Sequence, residues 1–221
     1  MPSHFEILKR LIEGKVVAVV RLDNGDQLVK VAEALKAGGI SAIEFTVPTP
    51  GALEMIKQAS AHFGEDVIMG AGTVLDPETA RAAILSGAQF VVTPALNLKT
   101  IELCRRYGKP IIPGALTPTE ILTAWEAGAD MVKVFPADSM GPGYLKAVLA
   151  PLPQVRLVPT GGVSADNASQ YLKAGATALG VGGKLVDKSA VARGDWAAIT
   201  LEAERLMNAV RGKAALKLVE A

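Results

Sequence analysis

Asp130-Met131-Val132-Lys133-Val134-Phe135-Pro136 is the stretch from which the fold can be read. It predicts a buried β-strand: an apolar run, β-branched at Val132 and Val134, closed by a proline. Strand side chains alternate, so Met131, Lys133 and Phe135 share one face and Val132 and Val134 the other. Both faces are apolar except for one amine. A buried ammonium costs several kcal/mol unless it is paired or neutral. Two readings follow. In one, the lysine stem packs and its head reaches water at the strand end. In the other the amine is neutral: burial lowers a lysine pKa from ~10.4, and a lysine tuned to about 7–8 attacks carbonyls and forms Schiff bases. Taken alone, the strand favours the first.

Outward from this strand, short apolar runs alternate with longer helical stretches. Strands are predicted at Val16–Val20, Ile40–Thr46, Val67–Ala71, Gln89–Thr93, Pro110–Pro113, Val155–Pro159 and Thr177–Val181. Between and after them, helices are predicted at Gln27–Lys36, Pro50–His62, Asp76 to about Ser86, Leu98–Tyr107, Thr117–Glu126, Tyr144–Leu149, Asp166–Lys173 and Asp195–Val210. Ser3 with Glu6 forms a capping box that opens an N-terminal helix running to about Ile12, and Thr117-Pro118-Thr119-Glu120 combines such a box with proline at the first helical position. Eight strand–helix pairs behind an N-terminal helix, in 221 residues, predict an α/β fold of the (β/α)8 TIM-barrel type, with residues 1–221 forming one domain. A weak repeat supports closure. Ala37-Gly38-Gly39, Ser86-Gly87-Ala88, Ala127-Gly128-Ala129 and Ala174-Gly175-Ala176 each end a helix just before a strand, recurring every ~40–50 residues, where glycine is the expected left-handed cap.

Composition narrows the function. No window approaches the ~20 apolar residues of a membrane span, and the N-terminus has no secretory signal pattern. The net charge of +1, with both signs interspersed, gives no footprint for nucleic acid or an anionic membrane. Cys104 is the lone cysteine, which rules out a disulfide framework or thiolate cluster and fits a cytoplasmic setting. His4 and His62 are the only histidines, and neither ends a strand, which disfavours a histidine-ligated zinc enzyme. No metal or cofactor is expected.

In TIM barrels the site lies at the C-terminal ends of the strands. Three features there carry chemistry. Glu44 and Lys133 are ionisable residues inside apolar strands, and inward side chains from the second and sixth strands can face one cavity. They read equally as a structural ion pair or a functional one. Arg21, ending the first strand, is suited to bidentate carboxylate binding, or is a solvated loop arginine. Gly161-Gly162 and Gly182-Gly183 follow the seventh and eighth strands, where backbone N–H groups frequently hold phosphate; a lone glycine pair is usually just a turn.

With these motifs together, the sequence resembles the 2-keto-3-deoxy-6-phosphogluconate (KDPG) aldolase family, which includes enzymes acting on 4-hydroxy-2-oxoglutarate. The resemblance runs from about Val16 to Val186. It is carried by Val17-Ala18-Val19-Val20-Arg21, Ile43-Glu44-Phe45-Thr46, Gly70-Ala71-Gly72-Thr73-Val74, Pro113-Gly114, Lys133-Val134-Phe135-Pro136-Ala137 and Pro159-Thr160-Gly161-Gly162-Val163. It implies a metal-free class I aldolase, with Lys133 as Schiff-base lysine and Glu44 as general acid/base. Arg21 and Thr73 would bind the carboxylate of the pyruvyl half, Pro94 and Phe135 would line the pocket, and Gly161, Gly162, Gly182, Gly183 and Lys184 would meet a distal phosphate. It further implies a 2-keto acid substrate and a homotrimer. Two departures bear on the substrate: Pro48 stands where some members carry arginine, and Lys184 where some carry serine. Cleavage of 4-hydroxy-2-oxoglutarate or of the galactonate epimer is the alternative within the class. A phosphate-binding isomerase or epimerase, or a non-catalytic assembly subunit, is the alternative outside it.

Overall fold

The computed structural model describes residues 2–23 and 26–212; residues 1, 24–25 and 213–221 of the expected single domain lie outside them. Helix α1 (His4–Gly14) precedes β1 (Val16–Val20), α2 (Leu28–Ala37), β2 (Ala42–Thr46), α3 (Ala52–Phe63), β3 (Ile68–Gly72), α4 (Pro77–Leu85), β4 (Phe90–Val92) and α5 (Leu98–Arg106). Then come β5 (Ile111–Ile112), β6 (Gly114–Ala115), α6 (Pro118–Glu126), β7 (Val132–Val134), α7 (Gly141–Leu149), β8 (Leu157–Pro159), α8 (Ala168–Lys173), β9 (Leu179–Val181), α9 (Lys188–Arg193) and α10 (Trp196–Val210).

The strands pair in parallel as β5-β4-β3-β2-β1-β9 and as β6-β7-β8. Two joints close these runs into a TIM-type barrel. The chain passes through Pro113 from β5, which lies within the predicted fifth strand Pro110–Pro113, into β6, which extends that strand beyond its predicted end. On the far side, the Thr177 N–H donates to the Leu157 carbonyl at 2.8 Å, and a bridge pairs Thr160 with Gly180. The fifth strand divides because Pro113 has no N–H to give to a ladder. Its carbonyl still accepts from the Lys133 N–H at 2.8 Å, so the sheet remains hydrogen-bonded across the gap.

Local chemistry sets the helix ends. Both capping boxes form, on Ser3 with Glu6 and on Thr117 with Glu120, and Asp76 caps α4 ahead of Pro77. The repeated glycines do end the helices, at Gly39, Gly87, Gly128 and Gly175, all with φ between 92° and 102°. At each, the next N–H reaches back five residues: Ile40 to Leu35, Ala88 to Ala83, Ala129 to Ala124, Ala176 to Tyr171. That is the Schellman termination, which only glycine enters without cost. Helix α9 lies between the predicted strand ending at Val181 and the predicted helix starting at Asp195, where the sequence predicts no element.

Inside the barrel, Val17, Ala42, Ile68, Phe90, Val92, Ile112, Met131, Val158 and Ala178 form one apolar plug, and Ile7 and Leu11 of α1 cover its lower end. His4 Nε2 ties α1 to Asp130 Oδ1 at 2.7 Å, while Asp130 Oδ2 accepts from the Ile111 N–H at 3.0 Å. A second, larger apolar layer fills the space between the strands and the surrounding helices. With the lower end filled, the upper end is the open one. Among the described residues no helix is long and apolar enough to cross a membrane.

Candidate active site

The inner face of the upper barrel is built around absent side chains. Glu44 points inward from β2 and is 1% exposed. It has room only because Gly72 of β3, two residues past its register partner Gly70, has no side chain: a Cβ there would lie 1.9 Å from Glu44 Oε1. One layer lower, a Cβ at Gly70 would lie 2.4 Å from the Phe90 ring, and across the barrel one at Gly180 would lie 2.1 Å from Thr160 Oγ1. Each inward glycine thus admits a neighbour's side chain, as a barrel too narrow for a full ring of side chains requires.

Lys133 lies on β7, on the inner face with Glu44, and is 5% exposed. Its Nζ is 5.0 Å from the centroid of the Phe135 ring, which is half-exposed at the strand end. Burial raises the Glu44 carboxyl above its ordinary value, and the charges of Lys133 and then Arg21 oppose that rise. The two strand residues are therefore electrostatically coupled. They do not form a hydrogen-bonded ion pair: Glu44 Oε1 is buried and accepts no hydrogen bond from the protein. An unsatisfied buried oxygen costs about 1–3 kcal/mol, and native folds keep few of them.

A cavity of about 470 Å³ opens at the C-terminal ends of β1, β7, β8 and β9; Glu44 and Lys133 are not among its lining residues, and Phe135, two residues beyond Lys133 on the same strand, is. Among the predicted site residues, Arg21, Phe135, Gly161, Gly162, Gly182, Gly183 and Lys184 line it. Thr73 and Pro94 are not among its lining residues. Pro94 packs its carbonyl against Gly114, where a Cβ would lie 2.3 Å away. Thr73 follows β3 with φ 57°, a left-handed conformation rare for a β-branched residue and costing about 1–3 kcal/mol. It is held there by inter-strand bonds on both sides, Val47 N–H to Gly72 O at 2.9 Å and Val74 N–H to Val92 O at 3.2 Å.

The two glycine pairs differ. Gly161 and Gly162 have φ of 102° and 67°, and a Cβ on Gly162 would lie 2.5 Å from that of Asp138, so the loop's own shape requires glycine. Gly182 and Gly183 avoid the left-handed region, and Gly183 faces open space. There the missing side chain leaves cavity volume rather than permitting a turn.

The family model for KDPG and KHG aldolases matches residues 7–201. The chain belongs to the KDPG and KHG aldolase family. It is 39% identical over 189 residues to the 2-dehydro-3-deoxy-phosphogluconate aldolase of Pseudomonas aeruginosa, covering 85% of each chain. With the 2-dehydro-3-deoxy-6-phosphogalactonate aldolase of Escherichia coli it shares 34% over 171 residues, 77% of this chain and 83% of that one. A crystal structure of KDPG aldolase from Legionella pneumophila, with pyruvate captured as a covalent carbinolamine, superposes with a TM-score of 0.84 at 28% identity, covering 93% of this chain and 98% of that one. Members of this family are aldolases, hence lyases.

Sequence reasoning passed over several cavity residues. Thr160, 7% exposed, enters the sequence analysis only as part of the Pro159–Val163 motif, and its placement depends on Gly180 of the neighbouring strand. Asp187 and Lys188 line the cavity from the start of α9. The local signal for that helix was present: Asp187 caps it, accepting from the Ala190 N–H at 2.8 Å, and Gly194 ends it with φ 68°. Arg21 lines a second hollow of about 280 Å³ together with Pro48, Thr46 and Thr49. Thr49 Oγ1 donates to the Leu22 carbonyl at 3.2 Å and bonds to Thr46 Oγ1 at 3.2 Å, anchoring the segment that carries Arg21.

Proposed function

We propose that the protein is a metal-independent class I aldolase that cleaves KDPG to pyruvate and glyceraldehyde 3-phosphate, reversibly, within a single barrel domain in the cytoplasm. The observation that carries this reading is the buried Glu44 carboxyl, whose Oε1 has no hydrogen-bond partner, on the same inner barrel face as the buried amine of Lys133. The Lys133 amine attacks the C2 ketone, and loss of water leaves a protonated imine. That cation draws the electrons of the C3–C4 bond as it breaks. Glu44, directly or through a water, takes the proton of the C4 hydroxyl as the aldehyde leaves and later returns a proton to the enamine carbon. Hydrolysis of the imine releases pyruvate and restores the amine. One carboxyl serving in both directions needs a pKa raised toward working pH, the direction in which burial shifts Glu44.

Arg21 and Thr73 are assigned to the pyruvyl carboxylate, and Phe135 and Pro94 to the walls around it. The backbone of Gly161, Gly162, Gly182 and Gly183, with Lys184, is assigned to the distal phosphate. A homotrimer is the proposed assembly. Leu75 and Leu98, 61% and 50% exposed, supply apolar surface for it, and Asn97, next to Leu98, donates from Nδ2 to the Leu75 carbonyl at 3.2 Å. A substrate panel tests the reaction. Phosphorylated 2-keto-3-deoxygluconate should be cleaved with a higher kcat/KM than 4-hydroxy-2-oxoglutarate or the galactonate epimer; the reverse order would reassign the substrate, and no cleavage of any of them would refute the activity.

A further inference from the structure

The cations around the cavity are not equivalent. Arg21, Lys184 and Lys188 line it, with Asp187 the one acid in its wall. Asp187 is engaged as the cap of α9, bonded to the Ala190 N–H and the Ser189 hydroxyl. Among the described residues no carboxylate forms an ion pair with Lys184. Lys188 differs: its Nζ lies 2.6 Å from Asp23 Oδ1, joining the start of α9 to the segment after β1 across 165 residues of chain. Lys188, Asp23 and Arg21 also line the second hollow, so this contact stands between two spaces that share Arg21 and Lys188.

The pair is a poor candidate for holding the fold together. The two side chains remain 57% and 85% exposed, and exposed ion pairs contribute little once screening and side-chain entropy are counted. Lysine can therefore leave Asp23 at small cost, and a phosphate dianion inside the cavity is the stronger partner. We propose that Lys188 is a specificity-determining residue that reads the charge at the far end of the substrate: it exchanges the Asp23 carboxylate for a terminal phosphate, with Asp23 as its resting counter-ion. This rests on the aldolase reading for the identity of the substrate, while the exchange itself needs only a phosphorylated three-carbon ligand.

A mere brace between α9 and the β1 segment would lose the same strength whichever partner was removed. An exchange gives opposite signs. Titration calorimetry of the full-length protein with glycerol 3-phosphate, and with glycerol as the uncharged control, separates the two. Lys188→Met should weaken glycerol 3-phosphate binding about tenfold or more, the loss expected for a charge-assisted hydrogen bond. Asp23→Asn should tighten it about two- to fivefold, the size of an exposed ion pair no longer to be broken. Equal weakening in both variants, no change in Lys188→Met, or no binding by the parent protein would overturn the proposal. If the opposite shifts occur but Lys133 takes up no pyruvate, the exchange stands and the aldolase reading fails. If pyruvate is taken up while both variants bind like the parent, the exchange fails and the aldolase stands.

Discussion

Replacing Gly72 by alanine should disable the site by moving one carboxyl group. The added Cβ would lie 1.9 Å from Glu44 Oε1, 2.2 Å from Cγ and 2.3 Å from Cδ, while non-bonded heavy atoms settle at about 3.5 Å or more. Glu44 must therefore retreat by about 1 Å or more, within a barrel wall that is already filled. Gly72 has no positive φ, so the backbone accepts alanine, and the three atoms nearest the new methyl group all belong to Glu44. Overpacking of this kind costs about 1–3 kcal/mol of stability, leaving the protein folded. Misplacing a reacting group by about 1 Å costs on the order of a hundredfold in rate, or ~2.7 kcal/mol of barrier. The assay is steady-state cleavage of KDPG, alongside thermal denaturation and borohydride trapping of pyruvate. The variant should fold, still trap pyruvate on Lys133, and lose about a hundredfold in kcat. Gly70→Ala is the control, because the nearest atoms its Cβ would meet belong to the Phe90 ring, at 2.4 Å, and not to Glu44. It should lose stability and keep most of its kcat. A folded Gly72→Ala protein with parental kcat would refute the role given to Glu44.

Two further predictions concern stability. Because the native Glu44 pKa is raised above its ordinary 4.5, the folded state binds more protons than the unfolded one between those values, and stability falls as pH rises through that window. Glu44→Gln removes this slope, so its Tm advantage over the parent should widen as pH is raised from about 4.5; a constant difference would mean that the carboxyl is not held above its ordinary value. Leu11, fully buried on α1 beneath the barrel plug, should cost about 2–5 kcal/mol when cut to alanine, read by urea unfolding, and a loss below ~1 kcal/mol would show that α1 does not seal the barrel.

What could be read from the sequence is what neighbouring residues decide together. The strand around Lys133, the boxes at Ser3 and Thr117 and the glycine helix ends depend on alternation, capping and left-handed backbone, all local. Boundaries set by partner strands were harder to read: β2, β8 and β9 begin at Ala42, Leu157 and Leu179, two residues later than the apolar runs that announce them. The division of the fifth strand follows from Pro113 once its neighbours are known. Helix α9 escaped notice because six residues carry too little apolar periodicity to register, although Asp187 and Gly194 bracket it. The site was legible as a set of residue types, Glu44, Lys133 and Arg21 above all. The clearance that Gly72 gives Glu44 and Gly180 gives Thr160 was not, since each contact joins residues on different strands. Nor was the left-handed turn at Thr73, which inter-strand bonds impose against the residue's own preference.

The central claim is that the Lys133 amine forms an imine with the substrate's keto group. Incubating the protein with pyruvate and sodium borohydride, then mapping the product by peptide mass spectrometry, tests it directly. The account predicts one reduced pyruvyl group on the peptide containing Lys133 and none on a Lys133→Ala variant; an unmodified Lys133 in protein that still cleaves substrate would contradict it.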